Sequence, residues 1–116
     1  MVWHAGNLYV ADAINNRIQV FSDTGQFIRV LGSPDRPWSL GLPYALQLGS
    51  DNTLYVVEYA AGRVSRASLE GGLLGRYGRT GNGVGEFATP WGISVDSKRR
   101  IRVADTGNRR IVELIQ

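Results

Sequence analysis

Short apolar runs with a two-residue alternation follow one another along the whole chain. Leu8 and Val10 alternate with Tyr9 and Ala11, and Ile18 and Val20 with Arg17 and Gln19, while Phe27-Ile28-Arg29-Val30-Leu31 is a run of β-formers. Because successive side chains of a strand point to opposite faces, this period describes strands with one buried face. Turn chemistry separates the runs at Gly6-Asn7, Asp23-Thr24-Gly25, Ser50-Asp51-Asn52, Glu70-Gly71-Gly72 and Ser97-Lys98. No stretch sustains a helical period. The expectation is an all-β chain.

The strands recur. Leu8-Tyr9-Val10-Ala11-Asp12, Leu54-Tyr55-Val56-Val57-Glu58 and Ile101-Arg102-Val103-Ala104-Asp105 are spaced by 46 and then 47 residues, and each is followed by an arginine five residues after its acid. Pro43 and Pro90 fall at equivalent positions and open Tyr44-Ala45-Leu46-Gln47-Leu48 and Trp91-Gly92-Ile93-Ser94-Val95. One repeat is then four short antiparallel strands, here a to d, which is the blade of a β-propeller. The repeats divide a single domain, 1–116, at about 1–42, 43–89 and 90–116. The first begins near the end of its strand a and the third supplies only a, b and c, so the chain holds about two and a half blades. Blades bury their faces against neighbours, and a partial propeller is expected to need further blades or self-association. Two copies would give a ring of about six blades.

Leu8 to Phe21, with Asn15-Asn16-Arg17-Ile18, and Pro90 to Ile111, with Ala104-Asp105-Thr106-Gly107-Asn108-Arg109-Arg110, resemble NHL repeats. The glycine-rich run Gly78 to Pro90 resembles that family's approach to the next blade; the middle copy diverges, with Val57-Glu58-Tyr59 and Ala61-Gly62. The resemblance implies a β-propeller. It also brings two function classes into view, since some similar propellers are metal-dependent lyases or lactonases and some animal ones bind RNA on one face.

Composition narrows these classes. The chain is 43% hydrophobic, enough for a core, and has no cysteine, which removes disulfides, thiolate metal sites and thiol catalysis without choosing a compartment. No apolar run is long enough to cross a bilayer, and Met1-Val2-Trp3-His4 lacks the zones of a signal peptide, so a soluble segment is expected. The net charge of +3 comes from arginine, since Lys98 is the one lysine among 13 basic residues. Arg36, Arg76, Arg79, Arg99, Arg100, Arg109 and Arg110, with Trp38, Tyr44, Tyr59 and Trp91, are the residue types that contact phosphates and stack on bases. Alternate hairpin turns point to opposite ends of a blade, which splits Arg99-Arg100 from Arg109. Nucleic-acid binding is therefore not the expected function.

Catalytic chemistry is sparse. His4 is the one histidine and is expected in a frayed terminus, so no cluster within the chain can hold zinc or run base catalysis. No cofactor or metal is expected. Gly81, Gly83 and Gly85 miss the dinucleotide spacing and precede no helix, which makes 78–90 a flexible inter-blade linker. The pairs Asp12/Arg17, Glu58/Arg63 and Asp105/Arg110 recur in every repeat and are expected to be ion pairs that build the blade. Ile18, Leu46, Val56, Phe87, Ile93 and Ile111 are the expected inter-blade core.

Tyr44 and Trp91 begin innermost strands, and the b to c turns bearing Asn15, Tyr59 and Arg109 share that end of the blades. Such rings either pack blades together or line a shallow surface suited to a protein or small-molecule ligand. The sequence thus leads to a non-enzymatic interaction scaffold. A propeller lyase or hydrolase with its metal site in other blades, and an RNA-binding module, are the alternatives.

Overall fold

The computed structural model describes residues 1–32 and 39–114. Arg36 and Trp38, raised above as nucleic-acid contacts, lie outside the described residues. Blade 1 is a four-stranded sheet of β1 (Val2–His4), β2 (Asn7–Asp12), β3 (Arg17–Ser22) and β4 (Phe27–Leu31), paired in chain order. Blade 2 repeats it with β5 (Pro43–Leu48), β6 (Leu54–Glu58), β7 (Arg63–Ala67) and β8 (Leu73–Tyr77). Between blades 2 and 3 lie β9 (Arg79–Thr80) and β10 (Glu86–Phe87), and blade 3 consists of β11 (Gly92–Val95), β12 (Ile101–Asp105) and β13 (Arg110–Leu114). All pairs within the blades are antiparallel, as hairpin connections require. A single 3-10 turn, Ala13–Asn15 in blade 1 and Thr106–Asn108 in blade 3, joins strands b and c.

The register sorts side chains into two faces per blade. Tyr9, Ile18, Val20 and Leu31 of blade 1 meet Leu46, Leu54, Val56 and Ala67 of blade 2, with Leu40 from the connecting segment. Tyr55, Val57 and Val64 on the opposite face of blade 2 meet Ile101 and Val103 of blade 3, with Phe87 from the second connection. Among the described residues, each connection thus contributes a buried apolar anchor, Leu40 or Phe87, to the seam it crosses. Full burial of a side chain such as Phe87 is worth about 1.5–3 kcal/mol.

Three expectations are corrected. Ile111 is 68% exposed although its repeat equivalents Ile18 and Val64 are buried, because it sits on the face of blade 3 turned away from blade 2. His4 is not frayed: it ends β1 and pairs with Asn7 across a tight turn. Residues 78–90 are not a loose linker. Arg79–Thr80 and Glu86–Phe87 form a parallel two-strand ladder, and the Glu86 carboxylate accepts the Gly83 N–H at 2.9 Å and Arg79 Nε at 2.8 Å. The loop's many glycines permit this close folding instead of leaving it slack.

Candidate functional site

Pro43 fixes the backbone entering β5, and the register shifts immediately after it: Pro43 faces Glu58 and Ala45 faces Val57. Tyr44 is the extra residue of this bulge and escapes the alternation that would send its ring into a blade seam. Trp91 follows Pro90 in the same way, with its backbone N–H bonded to Ala104 O at 3.0 Å. Tyr59 leaves the end of β6, and its N–H bonds Leu42 O at 2.9 Å.

These placements bring three rings together. Tyr44 stacks on Trp91 with centroids 5.6 Å apart and planes at 19°, and meets Tyr59 at 5.7 Å and 32°. The result is a ladder, Tyr59-Tyr44-Trp91, running from blade 2 to blade 3. Tyr44 and Trp91 remain 48% and 51% exposed, so the rings pack on each other and still present faces to solvent. Offset stacks of this kind supply rigid, amphipathic contact area.

Asn15 and Arg109 occupy b to c turns at the same end of the blades but make no ring contact. The Asn15 amide donates to both oxygens of Asp12, at 3.1 and 3.0 Å, so it braces a carboxylate. Arg109 is exposed in a left-handed conformation, φ 55°, with no ion pair among the described residues. The other arginines named for phosphate contact that lie among the described residues are engaged. Arg100 pairs with Asp96 at 2.6 Å, Arg79 with Glu86 at 2.8 Å, Arg99 with Asp51 at 3.9 Å, and Arg76 donates to Ser39 O.

The repeated acid and arginine stand 2.8 Å apart in every blade: Asp12/Arg17, Glu58/Arg63 and Asp105/Arg110. In blades 2 and 3 the pair does more than join strands b and c. Glu58 Oε1 accepts the Gly41 N–H at 2.8 Å, and Arg63 donates to Ser39 O at 3.1 Å. Asp105 Oδ1 accepts the Ala88 N–H at 2.7 Å, and Arg110 donates to Gly83 O at 3.0 Å and Glu86 O at 2.9 Å. Each pair therefore holds the backbone that leads into its own blade. Sequence reasoning did not find this role, although a signal was present: the acid follows the strand-opening proline by 15 residues in both Pro43/Glu58 and Pro90/Asp105.

No group of three or more His, Cys, Asp or Glu side chains able to hold a metal occurs among the described residues. His4 lines a polar recess with Arg29, Asp51, Thr53, Ser68 and Glu70. Among the described residues no helix is long and apolar enough to cross a membrane.

Strands paired a to d, blades stacked through apolar faces and linkers pinned by a carboxylate define the chain as a run of β-propeller blades. The NHL repeat family model matches residues 87–114, the third blade and the connection into it, so this part of the chain is similar to an NHL repeat. It is 29% identical over 103 residues to the human NHL repeat-containing protein 3, across 81% of this chain and 30% of that protein. The chain thus spans under a third of that relative's length. Among solved structures it resembles a virginiamycin B lyase from Staphylococcus aureus, with a TM-score of 0.69, 17% identity and coverage of 100% of this chain and 40% of that one. It also resembles an auxiliary nutrient binding protein from Bacteroides thetaiotaomicron, with a TM-score of 0.70, 14% identity and coverage of 93% and 34%. At these identities the structural likeness speaks for the fold alone.

Proposed function

We propose that the chain is a non-enzymatic propeller scaffold that binds a protein or small ligand on the Tyr59-Tyr44-Trp91 ladder, with its ring completed by further blades. One observation carries this reading: three rings from two blades gather at the end where strands a begin, with Tyr44 and Trp91 stacked and about half exposed. A ligand with flat or CH-rich faces, such as a glycan ring or a proline-rich or aromatic peptide, matches such a surface.

The chemistry of the remaining groups supports binding over catalysis. Glu58 and Asp105 are buried and committed to backbone N–H groups and arginine, which leaves neither free to exchange a proton with a substrate. The engagement of Arg79, Arg99 and Arg100 with carboxylates weighs against phosphate recognition.

An NMR fragment screen on the isotope-labelled chain, using oligosaccharides and short proline-rich peptides, tests the proposal. Saturable shifts at Tyr44, Tyr59 and Trp91 that vanish in Tyr44→Ala are expected. Binders that map elsewhere, or that survive both Tyr44→Ala and Trp91→Ala, would overturn it.

A further inference from the structure

At the end of the blades opposite the ring ladder, a recess of about 510 Å³ opens between the two four-stranded sheets. The turn after β1, the turn before β6 and the turn after β7 wall it, with Tyr9 of β2, Arg29 of β4 and Leu74 of β8 between them. Each of these walls has described chain on both sides, and both sheets that enclose the recess carry all four strands.

The polar groups of the recess are incompletely answered by the protein. Arg29 Nη2 crosses the seam to Leu69 O, but Nε is buried without a hydrogen-bond partner, and no carboxylate pairs with the guanidinium among the described residues. Such a cation ordinarily has an acid beside it. Tyr9 is 2% exposed, its ring packed in the seam, and its hydroxyl has no partner among the described residues, whereas a buried phenol usually finds one. On the facing wall Glu70 makes no hydrogen bond or ion pair among the described residues. Asp51 accepts the Thr53 N–H at 3.2 Å and reaches Arg99 only at 3.9 Å. One cation and two carboxylates therefore line one recess without touching each other.

A device that builds the blades recurs from seam to seam, as the acid and arginine pairs do, and this set does not recur. Arg29 pairs with Val20 across blade 1, and the equivalent pair in blade 2 is Gly75 with Arg66. Gly75 thus stands where blade 1 has Arg29, and the guanidinium lying over it belongs to Arg66 on the neighbouring strand. Lys98 stands in blade 3 where blade 2 has Asp51. The seam between blades 2 and 3 closes without this arrangement, so packing does not require it.

We propose that this recess binds a free α-amino acid with an apolar side chain. The ligand's carboxylate meets the Arg29 guanidinium and the Tyr9 hydroxyl, its ammonium lies between Asp51 and Glu70, and Leu69 and Leu74 supply an apolar wall for its side chain. Opposite charges held apart in one recess match a molecule that carries both. A simple anion would leave the two acids unanswered, and a simple cation would leave Arg29 so. The site is at the other end of the blades from the aromatic ladder and does not depend on it.

The probe is L-leucine, titrated into the isotope-labelled chain and followed by backbone NMR. Saturable shifts centred on residues 4–5, 51–53 and 68–70, with a Kd of about 1 mM or tighter, are expected. Leucine amide lacks the carboxylate and isocaproate lacks the ammonium, and each should bind about tenfold more weakly or worse. Glu70→Gln, in an exposed turn, should weaken leucine about threefold and leave isocaproate unchanged, since the acid serves the ammonium alone. The two analogues leave the protein untouched, so their comparison stands even where a variant disturbs the fold. Absence of saturable shifts, equal affinity for leucine and either analogue, or shifts centred on Tyr44 and Trp91 would each overturn the proposal. Equal weakening of leucine and isocaproate by Glu70→Gln would overturn it as well.

Discussion

Asp105 and Ala88, 17 residues apart in sequence, are joined by a 2.7 Å hydrogen bond from a backbone N–H to a carboxylate. The same carboxylate takes Arg110 Nε and the Asn108 amide, both at 2.8 Å. Its burial is tolerable because each oxygen is answered, and removing it leaves three donors stranded. Asp105→Ala should therefore cost about 3–5 kcal/mol in chemical denaturation, while Asp12→Ala, whose carboxylate is partly solvated, should cost about 1 kcal/mol or less. Equal losses would show that linker gripping contributes nothing beyond the ion pair.

The same geometry fixes the sign of the acid response. A hydrogen bond from Arg17, then one from Asn15, holds the Asp12 carboxyl below its ordinary pKa. Burial pushes Asp105 upward, but its bonds from Asn108, Ala88 and Arg110 together outweigh it and leave the group lowered too. A carboxyl with a depressed folded pKa binds protons more readily in the unfolded chain. Its contribution is full above the unfolded value and fades as pH falls through the folded one. The urea midpoint should stay level from neutral pH to about pH 5 and fall below about pH 4, less steeply in Asp105→Asn. A midpoint unchanged down to about pH 3 would contradict this coupling.

Phe87 carries the second seam. It is fully buried among Tyr55, Val57, Val64, Ile101 and Val103, and its ring meets Tyr77 edge-on at 6.1 Å. Phe87→Ala should cost about 3–5 kcal/mol, the range for truncating a buried aromatic. Gly78 supplies an independent check. Its φ is 98°, and a Cβ there would lie 2.6 Å from the Phe87 ring, so Gly78→Ala should also destabilise although it adds apolar volume. A tolerated Gly78→Ala would place the ring differently.

How far the sequence could be read depended on the range of the interaction. β4 was legible because Phe27 to Leu31 is rich in β-formers and lies between Gly25 and Gly32. The ion pairs were legible because the acid and arginine recur at fixed spacing on adjacent strands. The ordered loop before blade 3 was not, since Arg110 reaches carbonyls 24 to 28 residues away that no local pattern announces. The ring ladder was half legible: prolines marked where Tyr44 and Trp91 lie, but the bulge that turns Tyr44 outward is a register property. Ile111 misled because its face depends on whether a blade lies beside it.

Arg109 offers a test of backbone strain. It holds φ 55°, ψ 43°, where blade 1 has Asn16 in the same conformation and blade 2 has Gly62 at φ 63°. Left-handed backbone costs an ordinary L-residue about 1–2 kcal/mol, and glycine avoids the Cβ clash. Arg109→Gly should raise stability by about 0.5–1 kcal/mol in thermal unfolding. A loss would mean that the arginine side chain makes a stabilising contact.

The outer face of blade 3 differs in kind from every other face. Tyr9 and Tyr55 are buried in the seams, and the equivalent position in blade 3 is Arg102, which faces Glu113 at 3.6 Å with both side chains over two-fifths exposed. Val20 of blade 1 is buried at the position equivalent to Glu113. A neighbour packed on Arg102 and Glu113 would have to desolvate both charges, and such a pair repays that cost only with near-ideal geometry. The charge pair is thus expected to protect this face from adhering to apolar surfaces. Replacing it removes that protection. The double variant Arg102→Tyr, Glu113→Val should self-associate in light scattering at concentrations where the parent chain shows a lower mass, and an unchanged mass would mean that the charges do not govern assembly.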